Sequence, residues 1–150
     1  MIRERIADET KTAMKSGDRA RLSTLRMVAS AIKNAEIEAR TSGKGEVTDE
    51  SLLPLLQKLV KQRQESAELY DKGARPELAA GERAEIAVIQ SFLPQQMSED
   101  ETRAAIAEAI KETGAASAKD MGKVMAVLKA KHAGKMDFSK ASGTVKGMLG

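Results

Sequence analysis

The most constraining feature of the sequence is a regular spacing of apolar residues between positions 18 and 40. They recur every three or four residues: Leu22, Leu25, Val28, Ala29, Ile32, Ala35 and Ala39. This spacing places them on one side of an α-helix for about six turns. Asp18 precedes them, and aspartate is a favoured N-cap residue. The pattern therefore predicts a long amphipathic helix that begins after Asp18 and ends near Arg40.

Three more helices are predicted in the first two thirds of the chain. One covers residues 2–15. An interior proline removes a backbone hydrogen bond, so Pro54 is placed in a first turn and the next helix is predicted to start near Ser51. Pro76 suits the first position of the helix that follows, because its missing N–H is not needed there.

Three shorter helices are predicted in the last third of the chain. Ser98 and Glu101 have the spacing of a capping box, which opens the first of them. Ser117 and Asp120 form a weaker box before the second. The third covers residues 138–149.

These segments predict an all-α protein in two parts. Residues 1–93 form a four-helix N-terminal domain and residues 98–150 a small three-helix C-terminal domain, with residues 94–97 as the joint. The composition agrees, because only 2% of the residues are aromatic and good helix formers dominate. Aromatic residues are favoured in strands, so their scarcity argues against a β fold.

The composition also excludes several classes of site and of location. The chain contains no cysteine, which excludes a thiol nucleophile, a disulfide framework and a cysteine-based metal site. No apolar run reaches about 18 residues, the length of a membrane-spanning helix. The first residues are charged and lack the apolar core of a signal peptide. We therefore expect a cytoplasmic protein that does not enter a membrane.

No pattern of residues predicts a catalytic group, a cofactor or a metal. His132 is the single histidine, and its sequence neighbours Lys131 and Lys135 have the wrong charge to orient an imidazolium. The Gly122-Lys123 pair lacks the remaining positions of a phosphate loop. Neither a histidine pair nor an acidic calcium loop is present. We expect no catalytic residues, no cofactor and no metal ion.

Positive charge is concentrated at the end of the chain. Residues 1–113 contain 18 Lys and Arg against 20 Asp and Glu, whereas residues 114–150 contain seven Lys against two Asp. Such an excess attracts phosphate backbones through the release of counterions. The candidate nucleic-acid-binding residues are Lys119, Lys123, Lys129, Lys131, Lys135, Lys140 and Lys146. Lys119 and Lys123 are expected to share one helix face, and Arg19, Arg21 and Arg26 would extend the basic surface if they face the same way.

Several short motifs, in this order, resemble those of the YqeY family. They are Lys11-Thr12-Ala13-Met14-Lys15 with Asp18, Arg21-Leu22-Ser23-Thr24-Leu25-Arg26-Met27, Lys61-Gln62-Arg63 with Ser66, Tyr70 and Gly73, Ile89 with Phe92-Leu93-Pro94-Gln95-Gln96, and Asp120-Met121-Gly122-Lys123-Val124-Met125. Each motif is unspecific alone, and their common order across nearly the whole chain makes the resemblance strong.

The resemblance implies a function as well as a fold. The YqeY family is similar to the C-terminal region of GatB, a subunit of the glutamine-dependent amidotransferase that acts on misacylated tRNA. In that enzyme the region contributes to tRNA binding, while the ammonia-producing and phosphorylating sites lie elsewhere. The resemblance therefore implies a helical protein in two parts with a C-terminal unit that faces tRNA.

Three functions remain open at this point. The first is a non-catalytic accessory protein that binds tRNA, or machinery associated with tRNA, through the lysine-rich C-terminal helices. The second is a helical protein–protein adapter. The third is a subunit that takes part in glutamine-dependent amidation only within a complex, in line with the family's link to carbon–nitrogen ligases that use glutamine as amido-N-donor.

Overall fold

The computed structural model describes all residues, 1–150, and consists of helices with no strand. The all-α prediction is confirmed. The helices are α1 (Ile2–Ser16), α2 (Arg19–Ser42), α3 (Asp49–Lys72), α4 (Pro76–Gln90), α5 (Glu99–Thr113), α6 (Met121–Lys131) and α7 (Phe138–Leu149), with a short 3₁₀ helix at Ala118–Asp120. None of them combines the length and apolar character needed to cross a bilayer.

The chain divides into two compact units, residues 1–93 and residues 94–150. We call them the N-terminal unit (α1–α4) and the C-terminal unit (α5–α7). The predicted organisation into two domains, residues 1–93 and 98–150, stays a prediction.

In α2 the predicted N-cap is confirmed. The Asp18 carboxylate accepts a hydrogen bond from the backbone N–H of Arg21 at 3.1 Å. Leu25, Val28 and Ile32 are buried, as the apolar spacing requires, whereas Ala29 is exposed. The helix therefore has a buried side made from the larger apolar residues of the pattern.

The predicted start of α3 is wrong by two residues. The helix begins at Asp49, because the side chains of Thr48 and Ser51 cap it reciprocally with N–H to oxygen distances of 2.9 and 3.3 Å. Pro54 is consequently the sixth residue of the helix, where its ring nitrogen cannot donate to the carbonyl of Glu50. A capping box, with acidic residues beside the helix N-terminus, outweighs the loss of one hydrogen bond near the helix end.

The turn from α3 to α4 contains an unusual backbone conformation. Ala74 has φ of 57°, in the left-handed region that glycine prefers, while the preceding Gly73 has φ of −85°. The N–H of Arg75 donates to the carbonyl of Tyr70 at 2.8 Å and closes the end of α3. Pro76 then occupies the first turn of α4, as predicted.

All four helices contribute to the core of the N-terminal unit. Its fully buried side chains include Leu25, Leu52, Leu56 and Ile89. Near the turn between α3 and α4 the buried side chains are small. Only Ala67 near the end of α3 and Ala79 near the start of α4 are buried there. Leu69 and Leu78 lie in the same part of the hairpin with 67% and 42% of their surface exposed.

The C-terminal unit has a smaller core from α5, α6 and α7. Ile106, Val124, Leu128 and Val145 are fully buried in it. The predicted capping box of α5 is confirmed: the hydroxyl and the backbone N–H of Ser98 bond to Glu101 at 3.1 and 3.2 Å.

The capping box predicted from Ser117 and Asp120 does not form. The Ser117 side chain makes no cap bond, and the Asp120 carboxylate accepts instead from the N–H of Ala116 at 3.1 Å. A 3₁₀ turn has fewer residues per turn and a longer rise per residue than an α-helix, so the chain enters α6 in a different register from a continuous helix.

Candidate nucleic-acid interface

The seven candidate lysines lie on α6, on α7 and in the segments before each of them. Lys135 is half-buried and the others are exposed. The Lys131 ammonium pairs with Glu112 of α5 at 2.5 Å, and this carboxylate raises the pKa of Lys131. The structure records no ion pair for the other six. Lys131 is therefore the least available candidate for an outside anion.

On α6, small residues and lysines share the solvent side. Gly122, Ala126 and Ala130 recur every four residues, and Lys123 and Lys129 lie on either side of this line. A Cβ added to Gly122 would meet no atom within 4 Å, so packing within the protein does not require this glycine. Lys119 lies in the 3₁₀ turn that leads directly into α6, and its location on the same face as Lys123 stays a prediction.

On α7 the same arrangement recurs. Gly143 and Gly147 are exposed, lie four residues apart on one face, and have open space where a Cβ would stand. Lys140 and Lys146 lie on either side of them. A glycine inside a helix is destabilising relative to alanine, so these bare positions cost stability without a packing gain. Both helices thus present accessible backbone between lysine side chains.

The two carboxylates of residues 114–150 bond to backbone N–H groups. Asp137 accepts from the N–H of Ser139 at 2.9 Å and of Lys140 at 3.3 Å, and so caps α7. The N–H of Ala116 and, to a lesser extent, that of Ser117 hold the pKa of Asp120 below its ordinary value. The nearby Lys123 ammonium makes a further, smaller contribution to the lowered pKa of Asp120.

A groove of about 360 Å³ lies between the start of α5 and α7. Lys135 and Lys140 line it together with Arg103 of α5, and Glu99 contributes a carboxylate to the same wall. Sequence analysis missed Arg103 because it stands in an acidic stretch and was counted with residues 1–113. Its spacing from the start of α5 gave no signal that it would meet the lysines of another helix.

The acidic residues of the C-terminal unit are concentrated on α5. Glu108 and Glu112 line a narrow crevice with Lys131 and His132, where α5 meets α6. The residues next to His132 in sequence are basic, whereas its surroundings in the fold also include these two carboxylates. His132 therefore has charges of both signs around it, and its non-catalytic role stays a prediction.

No group of three or more His, Cys, Asp and Glu side chains is placed to hold a metal ion. In the N-terminal unit, the three arginines named as possible extensions of the basic surface do not face the same way. Arg21 is half-buried and pairs with Glu9 of α1. Arg19 and Arg26 are exposed on the opposite side of α2.

Comparison with known proteins finds partial matches among curated sequences. Two are named Altered inheritance of mitochondria protein 41, mitochondrial: that of Vanderwaltozyma polyspora is 36% identical over 85 residues, and that of Lachancea thermotolerans 39% over 88. These matches cover 57% and 58% of this chain but only 44% and 45% of the two relatives, so the chain spans less than half their length.

A third relative is matched over more of its length. It is an uncharacterized protein of Schizosaccharomyces pombe, 33% identical over 98 residues, which make up 65% of this chain and 73% of that protein. The family model described as Yqey-like protein matches residues 3–149, nearly the whole chain. Together with the order of the motifs and the all-helical fold, this match establishes that the chain belongs to the YqeY family.

Proposed function

We propose that this chain is a non-catalytic accessory protein that binds folded tRNA through its C-terminal unit. The observation that carries the proposal is the surface of α6 and α7, where lysines without ion pairs stand beside glycine and alanine. Lysine is a strongly hydrated point charge that attracts phosphate without demanding one geometry. Small residues between the lysines allow a phosphate backbone to approach the helix closely.

Folded RNA fits this surface better than a flexible single strand. Single-strand binders stack bases on exposed aromatic rings, and the single aromatic residue of the C-terminal unit is Phe138, which packs against its core. Recognition of double-stranded RNA depends mainly on shape and on phosphate and 2′-hydroxyl contacts. The relation of the family to the tRNA-binding region of GatB supports tRNA among folded RNAs, and an amidotransferase or another tRNA enzyme as a protein partner.

The experiment is a titration of labelled tRNA with two variants of the full chain that lose equal charge. The test variant carries Lys123→Gln, Lys129→Gln and Lys140→Gln. The control carries Lys58→Gln on α3, Lys111→Gln on α5 and Lys131→Gln, whose ammonium is already paired. Circular dichroism first establishes that both variants retain the helical fold.

We expect the test variant to bind more weakly and with a shallower dependence on salt. Each lost phosphate contact should reduce the slope of log affinity against log salt by about 0.7–0.9, or roughly 2–3 for three contacts. The control should retain most of the affinity and slope. Equal loss in the two variants would show a general effect of net charge and would contradict the proposal, as would absence of tRNA binding by the wild type at low salt.

The adapter function remains the second candidate, because Leu69 and Leu78 are exposed on the α3–α4 hairpin. Exposed apolar side chains that lie together can mark a protein interaction site. Retention of a partner from cell extract that tolerates high salt and is lost on Leu69→Ser with Leu78→Ser would favour it. A cytoplasmic location also remains a prediction, which cell fractionation tests.

A further inference from the structure

The solvent face of α2 in the N-terminal unit carries cations at an unusually regular spacing. Arg19, Arg26, Lys33 and Arg40 follow one another at intervals of seven residues, and all four are exposed. Seven residues are almost two helical turns, with a drift of only about 20° per interval. The four side chains therefore form one stripe, which extends along the helix for about 31 Å at a rise of about 1.5 Å per residue.

One carboxylate lies beside the stripe and is already paired. Glu36 follows Lys33 by three residues and precedes Arg40 by four, so it borders the stripe on the helix surface. The Glu36 carboxylate accepts from the guanidinium of Arg3 at 2.7 Å. Glu38 lies about 100° from Ile37 around the helix. The structure records no ion pair for any of the four cations, although ion pairs are present elsewhere in the unit.

The exposed residues that lie between the cations along this face are small or uncharged. They are Ser23, Ala29 and Ser30, with Ile37 as the one large apolar residue. Arginine, lysine and serine are among the residue types that contact phosphate and sugar oxygens in nucleic-acid complexes. A helix that lies on a membrane needs a broad apolar face towards the lipid, and the apolar side of α2 is buried in the core.

We infer that this face of α2 is a second nucleic-acid contact surface, which receives the phosphate backbone of a double helix. Its length of about 31 Å is close to one turn of a duplex, about 34 Å. The face has no aromatic side chain for base stacking, and the charge of Glu36 beside it is paired with Arg3. This surface is separate in sequence and in structural unit from the lysines of α6 and α7, and the inference does not depend on them.

The test compares two variants of the full chain with the same net charge. The α2 variant carries Arg19→Gln, Arg26→Gln, Lys33→Gln and Arg40→Gln. The control carries Lys11→Gln, Lys58→Gln, Lys72→Gln and Arg75→Gln, which are exposed positions on the other helices and turns of the same unit. Glutamine is a good helix former, so both variants should fold, and circular dichroism verifies this.

The ligands are labelled 20-base-pair duplexes of RNA and of DNA, titrated at two salt concentrations. We expect the α2 variant to bind at least one duplex about tenfold more weakly at low salt, with a slope reduced by roughly 3–4 for four lost contacts, while the control changes less than about threefold. The RNA and DNA arms distinguish which double helix supplies the phosphates.

Equal affinities of the α2 variant and the wild type for both duplexes would overturn the inference. Loss of binding to anionic lipid vesicles without loss of duplex binding would overturn it too. Repeating the titration with the Lys123, Lys129 and Lys140 variant separates the two surfaces. If the Lys123, Lys129 and Lys140 variant loses binding and the α2 variant does not, the proposed function stands and this inference is wrong. If only the α2 variant loses binding, this inference stands and the proposed function is wrong.

Discussion

In the N-terminal unit four arginines form ion pairs with carboxylates on a neighbouring helix, whereas in the C-terminal unit one lysine does so. The N-terminal pairs are Arg3–Glu36, Arg21–Glu9, Arg63–Glu85 and Arg83–Asp71. The N-terminal unit contains nine arginines and seven lysines, and the C-terminal unit one arginine and eight lysines. The planar guanidinium suits bidentate contact between elements, while the ammonium stays hydrated. A larger share of the basic side chains is therefore paired in the N-terminal unit than in the C-terminal unit, and we expect the C-terminal charge to be the more available to a ligand.

The largest effects are expected from core substitutions, which test whether the two units unfold independently. Leu25→Ala and Leu128→Ala each remove a fully buried side chain, one in each core. Each should destabilise its own unit by about 2–5 kcal/mol, from lost burial and the cavity left behind. Urea unfolding followed by NMR signals of each unit measures both. A loss of the same size in both units from either substitution would mean that the chain unfolds as one body.

The second prediction compares two cations that both pair with a carboxylate on another helix but differ in burial. The Arg63 guanidinium donates to Glu85 at 2.9 Å and to the carbonyl of Leu59 at 3.0 Å, and its side chain is only 16% exposed. Arg63→Gln should cost about 1–2 kcal/mol, because buried hydrogen-bonding groups lose their partner. Lys131→Gln should give no measurable change in the urea midpoint, since its pair with Glu112 is exposed. Equal effects would remove the distinction between the units.

The third prediction separates stability from binding in the C-terminal unit. Gly143→Ala and Gly147→Ala should each stabilise it by about 0.5–1 kcal/mol, because alanine is the better helix residue and the space is open. Both should weaken tRNA binding if the backbone there contacts phosphate. Gly81→Ala on α4 is the control, since its position is equally open and should gain stability without loss of affinity. Unchanged tRNA binding by all three variants would show that the exposed glycines of α7 do not contribute to binding.

A smaller effect is expected at the turn of the N-terminal unit. Ala74→Gly should stabilise it by about 0.5 kcal/mol, because the left-handed conformation costs alanine more than the added freedom of the unfolded glycine. Gly73→Ala should destabilise it, since the new Cβ would stand 3.3 Å from the carbonyl oxygen of Leu69. The midpoints of thermal unfolding of both variants test these two effects. A higher midpoint for Gly73→Ala would contradict the conclusion that the strained backbone lies at Ala74.

The smallest effect concerns pH. The pKa of Asp120 is lowered in the folded state, so its contribution to stability is present at neutral pH and is lost as pH falls through its ordinary value towards the folded one. The C-terminal unit should therefore weaken below about pH 4, and Asp120→Asn should weaken less over that range. Unfolding midpoints of the C-terminal unit at pH 7 and pH 3 test this. An equal pH dependence in the variant would assign the effect to other carboxyl groups.

Local patterns predicted the helices well, and contacts between helices account for what they missed. Asp18 and the Ser98–Glu101 box cap their helices because both partners lie within three residues, a relation that sequence displays directly. At Pro54 two local signals conflicted, and the capping box prevailed.

The pair of Lys131 with Glu112 joins residues 19 apart, so the sequence could not show that this lysine is less available than its neighbours. Arg103 was missed for the same reason, because only the fold brings it beside Lys135 and Lys140 in the α5–α7 groove. The stripe on α2 was visible in the spacing, but its exposure and freedom from ion pairs needed the structure.

The narrow contact that holds the end of the α3–α4 hairpin has a consequence for motion. Ala67 and Ala79 have smaller side chains than the leucines of the core, and the Arg83–Asp71 pair that also joins α3 to α4 is exposed. We therefore expect the hairpin end to open while the rest of the unit stays folded. Backbone amides near Tyr70 and Leu78 should then exchange with deuterium through partial opening, well before those around Leu25 and Leu56. The end of the hairpin, which includes the exposed Leu69 and Leu78, would thus open and close locally, independently of global unfolding.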